Sequence, residues 1–157
     1  KIIQSVLDVN DRQKLVIVDK ILDYYKGDVK GKKIALWGLA FKPDTDDIRE
    51  APALYIIDEL LNEGAEITAF DPEAMSNVKE LLGDKINFAL SRDEAAESAD
   101  ALIIATEWQI FRTPDFKKLA SMMNQKVIFD GRNLFDLDEM REFGFYYSSI
   151  GRDLVSN

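Results

Sequence analysis

Apolar residues recur along this chain at two alternating spacings, one helical and one extended. Up to about residue 26, Ile3, Val6, Leu7, Leu15, Val18, Leu22 and Tyr25 fall on one helical stripe, and Gly27 is placed to stop the helix. Ile34-Ala35-Leu36-Trp37 then forms a short apolar run that ends at Gly38. After a loop over 39–48, Pro52 opens a second helix with Leu54, Ile57 and Leu61 on one face and Gly64 as its stop. The alternation continues with a strand from Glu66 to Phe70, a helix capped by Asp71-Pro72 and running to about Leu82, and a strand from Ile86 to Ala89. A brief helix around Asp93 to Glu97 precedes Ala101 to Ala105, whose unbroken apolar character suits a buried central strand. Pro114 to Met122 reads as helix, Val127 to Phe129 as strand, Leu137 to Phe143 as helix, and Phe145 to Tyr147 as a last strand.

About six strands therefore alternate with helices. Parallel strands need crossovers long enough to hold a helix. The pattern predicts an α/β fold: a doubly wound, mainly parallel six-stranded Rossmann-like sheet preceded by a leading helix. Segments 34–37 and 101–105, apolar on both faces, are expected at its centre. Ligands of such sheets bind outside the carboxyl ends of the strands. The loops after Trp37, Ala105 and Phe129 are then the places to search.

Composition narrows the chemistry. With 157 residues the chain has the size of one domain, and it carries 20 Lys+Arg against 29 Asp+Glu for a net charge of −9. That balance, with no basic stripe, argues against nucleic acid. No apolar run approaches the roughly 18 residues that a membrane span needs. The chain has no Cys and no His. Disulfides, thiol nucleophiles, Ser-His-Asp triads and ordinary zinc sites are excluded within it, so no catalytic or metal residue is assigned. The start at Lys1 and the lack of a signal peptide are read as a cytoplasmic piece of something longer.

The loop from Gly38 to Glu50 sits where a dinucleotide fingerprint would lie, but Ala40 and Pro43 stand where its glycines are needed. Asp44, Asp46 and Asp47 read as a solvated turn, because their spacing lacks the Gly and terminal Glu of a calcium loop. Lys42 and Arg49 are harder to dismiss. A cation near a helix N-terminus opposes the helix dipole unless an anion shares the site. Asp71 lies where a Rossmann domain holds a ribose hydroxyl, but an N-cap followed by Pro72 explains it as well. Arg132, after Asp130-Gly131, suits either a bidentate grip on phosphate or a salt bridge to one of the acids. Trp108 offers a ring for a base, or a piece of core.

Taken together, these motifs are familiar. Trp37 to Glu50 (WGLAFKPDTDDIRE) closely resembles the signature loop of the C-terminal domain of UDP-glucose 6-dehydrogenases. So do Ala69-Phe70-Asp71-Pro72, Ala105-Thr106-Glu107-Trp108, Phe129-Asp130-Gly131-Arg132-Asn133 and Ile150-Gly151-Arg152, in the same order along the chain. Asn10-Asp11-Arg12-Gln13 looks like the helix that follows the family's central dimerisation segment. The resemblance implies a boundary, with 1–28 as a connecting helix and 29–157 as a UDP-sugar-binding domain. It implies contact with UDP-glucose through Phe41, Lys42 and Arg132, and with NAD through Arg49 across a domain cleft. It also implies a homo-oligomeric, cytoplasmic enzyme of polysaccharide biosynthesis that oxidises its sugar in two hydride transfers. The family's catalytic Cys and main NAD site lie in other segments, so this chain alone is expected to be inactive. Ala51 departs from the Ser of many relatives, a change expected to affect helix capping. Sister UDP-N-acetylmannosamine and GDP-mannose dehydrogenases share a similar loop, and a stand-alone nucleotide-binding regulatory module is the alternative from another class.

Overall fold

The computed structural model describes residues 16–156. Leu15, the earlier stripe positions and Asn10-Asp11-Arg12-Gln13 lie outside them. Helix α1 (16–24) lays Ile17, Val18 and Ile21 into the core, and Tyr24 packs its ring on Phe129 and Tyr146. It gives way to a turn at Gly27, whose amide donates to the Leu22 carbonyl at 2.7 Å.

Six strands form one sheet: β1 (Lys33–Trp37), β2 (Glu66–Phe70), β3 (Asn87–Phe88), β4 (Ala101–Ile104), β5 (Val127–Asp130) and β6 (Tyr146–Ser148). Their order is β3-β2-β1-β4-β5-β6, and every pairing is parallel. This is the doubly wound arrangement expected, with β1 and β4 adjacent at the centre. The crossovers carry α2 (Pro52–Asn62), α3 (Met75–Leu82), α4 (Arg92–Ala96), α5 (Phe116–Met122) and α6 (Leu137–Glu142). A 3-10 turn, Gln109–Phe111, follows β4.

Two local expectations shift. Helix α2 buries Ala53, Ile56, Ile57 and Leu60, while Leu54 and Leu61 are only half-buried. The inward stripe therefore takes in the small Ala53 rather than the largest side chains. The second shift concerns Asp71. Helix α3 begins at Met75 with Ala74 in the N-cap position, so Asp71 is not its N-cap.

Strand register explains why this end of the sheet is ordered. Phe70 pairs with Trp37, Trp37 with Ile104, and Ile104 with Asp130. The four central strands thus end in one row, and the residues after them form a common rim. Asp71 stands on that rim, fully buried. Its Oδ2 accepts from the Leu39 amide (2.7 Å), the Ala40 amide (2.9 Å) and the Trp108 indole N–H (3.0 Å). Its Oδ1 accepts from the Glu73 and Ala74 amides, both at 2.8 Å. One carboxylate therefore gathers three chain segments. Gly38 makes the first of them possible: its φ is +103°, and a Cβ there would lie 2.6 Å from Thr106.

Asp71→Asn keeps the shape but turns an NH2 group toward donors, whichever way the amide is set. Denaturant unfolding should show a loss of about 2–4 kcal/mol, from a lost charged acceptor and stranded N–H groups. A change within about 0.5 kcal/mol, the usual size at an indifferent surface position, would contradict this account. Gly38→Ala should also destabilise, through both the clash and the positive φ, and the same unfolding curve reads it.

Candidate functional site

The rim is assembled from three loops. In the first, after β1, the Phe41 amide donates to the Asp47 carbonyl at 2.8 Å and closes residues 41–47 on themselves. Asn77 on α3 donates its side-chain N–H to the Asp46 carbonyl at 2.8 Å and ties the loop to the body. Phe41 is 48% exposed, a large ring left facing solvent, and Lys42 beside it is exposed too.

In the second loop, consecutive residues hold the other two. Thr106 donates its hydroxyl to the Ala40 carbonyl at 2.7 Å, and Glu107 accepts from the Arg132 guanidinium at 2.5 Å. The Phe41-Lys42 segment and Arg132 are thereby brought to one stretch of rim. Burial alone would raise the Glu107 carboxyl; its own backbone N–H and the Arg132 guanidinium outweigh that and hold it below its ordinary value. The Glu107 carboxylate therefore stays ionised at neutral pH. Trp108 is buried and spends its N–H on Asp71, so it is core and not a base platform.

In the third loop, Asp130 is fully buried and its Oδ1 accepts from the Arg132 amide at 2.9 Å. Gly131 serves close approach: a Cβ there would lie 3.1 Å from the Ile104 carbonyl. The tight turn itself falls to Asn133, at φ 57°. A cavity of about 210 Å³ beside Arg132 is lined by Val16, Gly131, Asn133 and Ile150.

Arg49 stands three residues ahead of α2, outside the helix, with its side chain 88% exposed. It meets Asp47 twice, Nε to Oδ1 at 3.0 Å and Nη2 to Oδ2 at 2.9 Å. That grip draws the Asp47 carboxyl down to about 2. An exposed pair of this kind contributes little, so Arg49 is readily released to another anion. The α2 N-cap, Ala51, offers no side-chain acceptor, which leaves the helix end without a cap of its own.

The sequence singled out all four candidate side chains. It missed the bracing role of two acids: Asp130 stands there only as part of a motif, and Asp71 only as a ribose contact or an N-cap. A usable signal was present, since an Asp directly after or ending an apolar strand run sits at the rim. Among the described residues, no group of His, Cys, Asp and Glu is arranged to hold a metal, and no helix is long and apolar enough to cross a membrane.

Residues 35–137 match the family described as UDP-glucose/GDP-mannose dehydrogenase, UDP-binding domain. The UDP-glucose 6-dehydrogenase TuaD of Bacillus subtilis (strain 168) is 43% identical over 155 residues, taking in 99% of this chain and 33% of that protein. The UDP-glucose 6-dehydrogenase of Rhizobium meliloti (strain 1021) is 41% identical over 152 residues, with 97% and 35% covered. Among solved structures, a UDP-glucose dehydrogenase from the hyperthermophilic archaeon Pyrobaculum islandicum superposes with a TM-score of 0.75 at 30% identity, over 92% of this chain and 31% of that one. The chain thus spans about a third of the length of these relatives. With the family matched over 35–137 and the fold shared with a solved relative, the chain belongs to the UDP-glucose/GDP-mannose dehydrogenase family, as its UDP-binding domain.

Proposed function

We propose that this chain holds the UDP portion of UDP-glucose for an NAD-dependent UDP-glucose 6-dehydrogenase, with Phe41, Lys42 and Arg132 as the gripping residues. The observation that carries the reading is the joint anchoring by Thr106 and Glu107, which sets an exposed aromatic, an exposed ammonium and a held guanidinium along one rim. A diphosphate offers oxygens for both cations, and Arg presents a planar fork matched to phosphate. The Phe41 ring supplies apolar surface for the ligand to cover. UDP-glucose is preferred over sister sugars because the relatives at 41–43% identity carry that name. Among solved structures, one named for UDP-glucose stands at 30% and one named for UDP-N-acetylmannosamine at 27%.

A nicotinamide dinucleotide does not fit this rim. The Asp71 carboxylate that would meet its ribose is saturated by five N–H donors, and Thr106 fills the space over Gly38 where its phosphates would approach. NAD is therefore assigned to segments outside this chain, with Arg49 reaching toward it. Redox chemistry belongs to those segments as well, and this chain alone turns nothing over. Residues 1–28 serve as the connection and 29–157 as the nucleotide-sugar unit of a cytoplasmic homo-oligomer, in keeping with a chain free of Cys.

Arg132→Ala should weaken UDP binding about 10- to 150-fold, the equivalent of one charge-assisted hydrogen bond at about 1.5–3 kcal/mol. Arg132→Lys should recover only part, since a point charge does not replace the fork. Calorimetric titration of UDP measures both, and an unchanged Kd in both variants would reduce Arg132 to a partner of Glu107. A second comparison separates the two ligands. Lys42→Ala should weaken UDP in this chain, whereas Arg49→Ala should leave UDP within about twofold and weaken NAD in the full-length enzyme, because the Asp47 pair it loses is worth little. Equal losses of UDP affinity in the two variants would refute that division.

A further inference from the structure

The turn that carries Arg132 has no regular structure of its own: residues 131–136 form neither helix nor strand. What shapes it comes from the segment after β6. That segment doubles back, and Val155 pairs antiparallel with Tyr147 through bonds of 2.8 and 3.0 Å. Within this hook, Arg152 spreads its guanidinium over three acceptors: Tyr147 Oη at 2.7 Å, the Phe135 carbonyl at 3.0 Å and Ser149 Oγ at 3.0 Å. Tyr147 is fully buried and donates its hydroxyl to Asp130 Oδ2 at 2.6 Å. Asp130 in turn accepts from the Leu134 amide on Oδ2 (2.7 Å) and from the Arg132 amide on Oδ1 (2.9 Å). Asn133 adds a second tie, accepting from the Ile150 amide and donating to its carbonyl, both at 2.8 Å.

We propose that Tyr147 and Arg152 are positioning residues for phosphate binding at Arg132, acting through the buried Asp130 carboxylate. This rests on the UDP reading given above. Neither side chain touches the ligand. Arg152 orients the Tyr147 hydroxyl by donating to it, so the hydroxyl proton points at Asp130. Asp130, fixed on that side, sets the Arg132 backbone with its other oxygen, while Glu107 holds the far end of the same side chain. Burial, then the neighbouring Asp130 charge, pushes the Tyr147 hydroxyl well above its ordinary value, which keeps it a donor throughout the neutral range. A long, flexible Arg restrained at both ends loses less freedom when it meets an anion, and small displacements of such a group are costly.

A role through Arg132 differs from plain stabilisation in being conditional on Arg132. The test is a double-mutant cycle: UDP titrated calorimetrically into this chain for Tyr147→Phe, Arg132→Ala and the pair. Tyr147→Phe keeps the buried ring and should weaken UDP about tenfold, a coupling of ordinary size for residues in one network. In the Arg132→Ala background the same change should cost less than about twofold, because the group being positioned is gone. Amide hydrogen exchange should show faster exchange at the Arg132 and Leu134 amides in Tyr147→Phe. Arg152→Lys keeps the charge but not three simultaneous bonds, and should repeat the pattern at smaller size; it carries the cycle alone if Tyr147→Phe fails to fold. If UDP binds the unaltered chain and the losses simply add, or if the Arg132 amide exchanges unchanged, the positioning role is overturned while the UDP reading stands. If the unaltered chain takes up no UDP, the UDP reading falls, and the positioning role with it.

Discussion

A buried carboxylate with no water to solvate it is tolerated only when N–H groups replace the water. Asp71 meets that condition with five donors drawn from the loop after β1, the approach to α3 and the Trp108 side chain. Moving any one segment strands donors or leaves the anion short of them. The rim is consequently rigid where it is anchored, and the freedom that remains belongs to side chains pointing outward. A residue that in a dinucleotide site would be saved for a ribose is here spent on the protein's own backbone, so the same fold presents a different ligand surface.

Asp130 repeats the device on the other side of the sheet. It too is buried, and it satisfies its oxygens with the Arg132 and Leu134 amides and the Tyr147 hydroxyl. The division of labour between the charges follows. Buried acids hold backbone, while Lys42, Arg49 and Arg132 stay at the surface. Arg49 rests on Asp47 in an exposed pair weak enough to exchange for another anion, whereas Arg132 is anchored by Glu107.

Strands β1, β4 and β5 were legible from the unbroken apolar runs 34–37, 101–105 and 127–129, and the first two could be placed centrally because both faces are apolar. The inward face of α2 was less legible. Its large residues advertise Leu54 and Leu61, whereas packing selected the small Ala53 and its neighbours. The cations were singled out from charge and position alone. Their partners were not: Glu107 lies 25 positions from Arg132, and Asp71 lies 32 positions from Leu39.

Periodicity, apolar runs and turn residues act over a few neighbouring positions, so the order of elements, the parallel sheet and the location of the rim followed from the chain itself. Which acid would bind a ligand and which would brace a loop did not. That choice depends on donors brought together from segments far apart in sequence, once the register of Phe70, Trp37, Ile104 and Asp130 has aligned the strand ends in one row. An Asp at a strand end has the same local sequence signature in either role. Only the folded surroundings, by burying its carboxylate among N–H groups or leaving it open to solvent, decide between them.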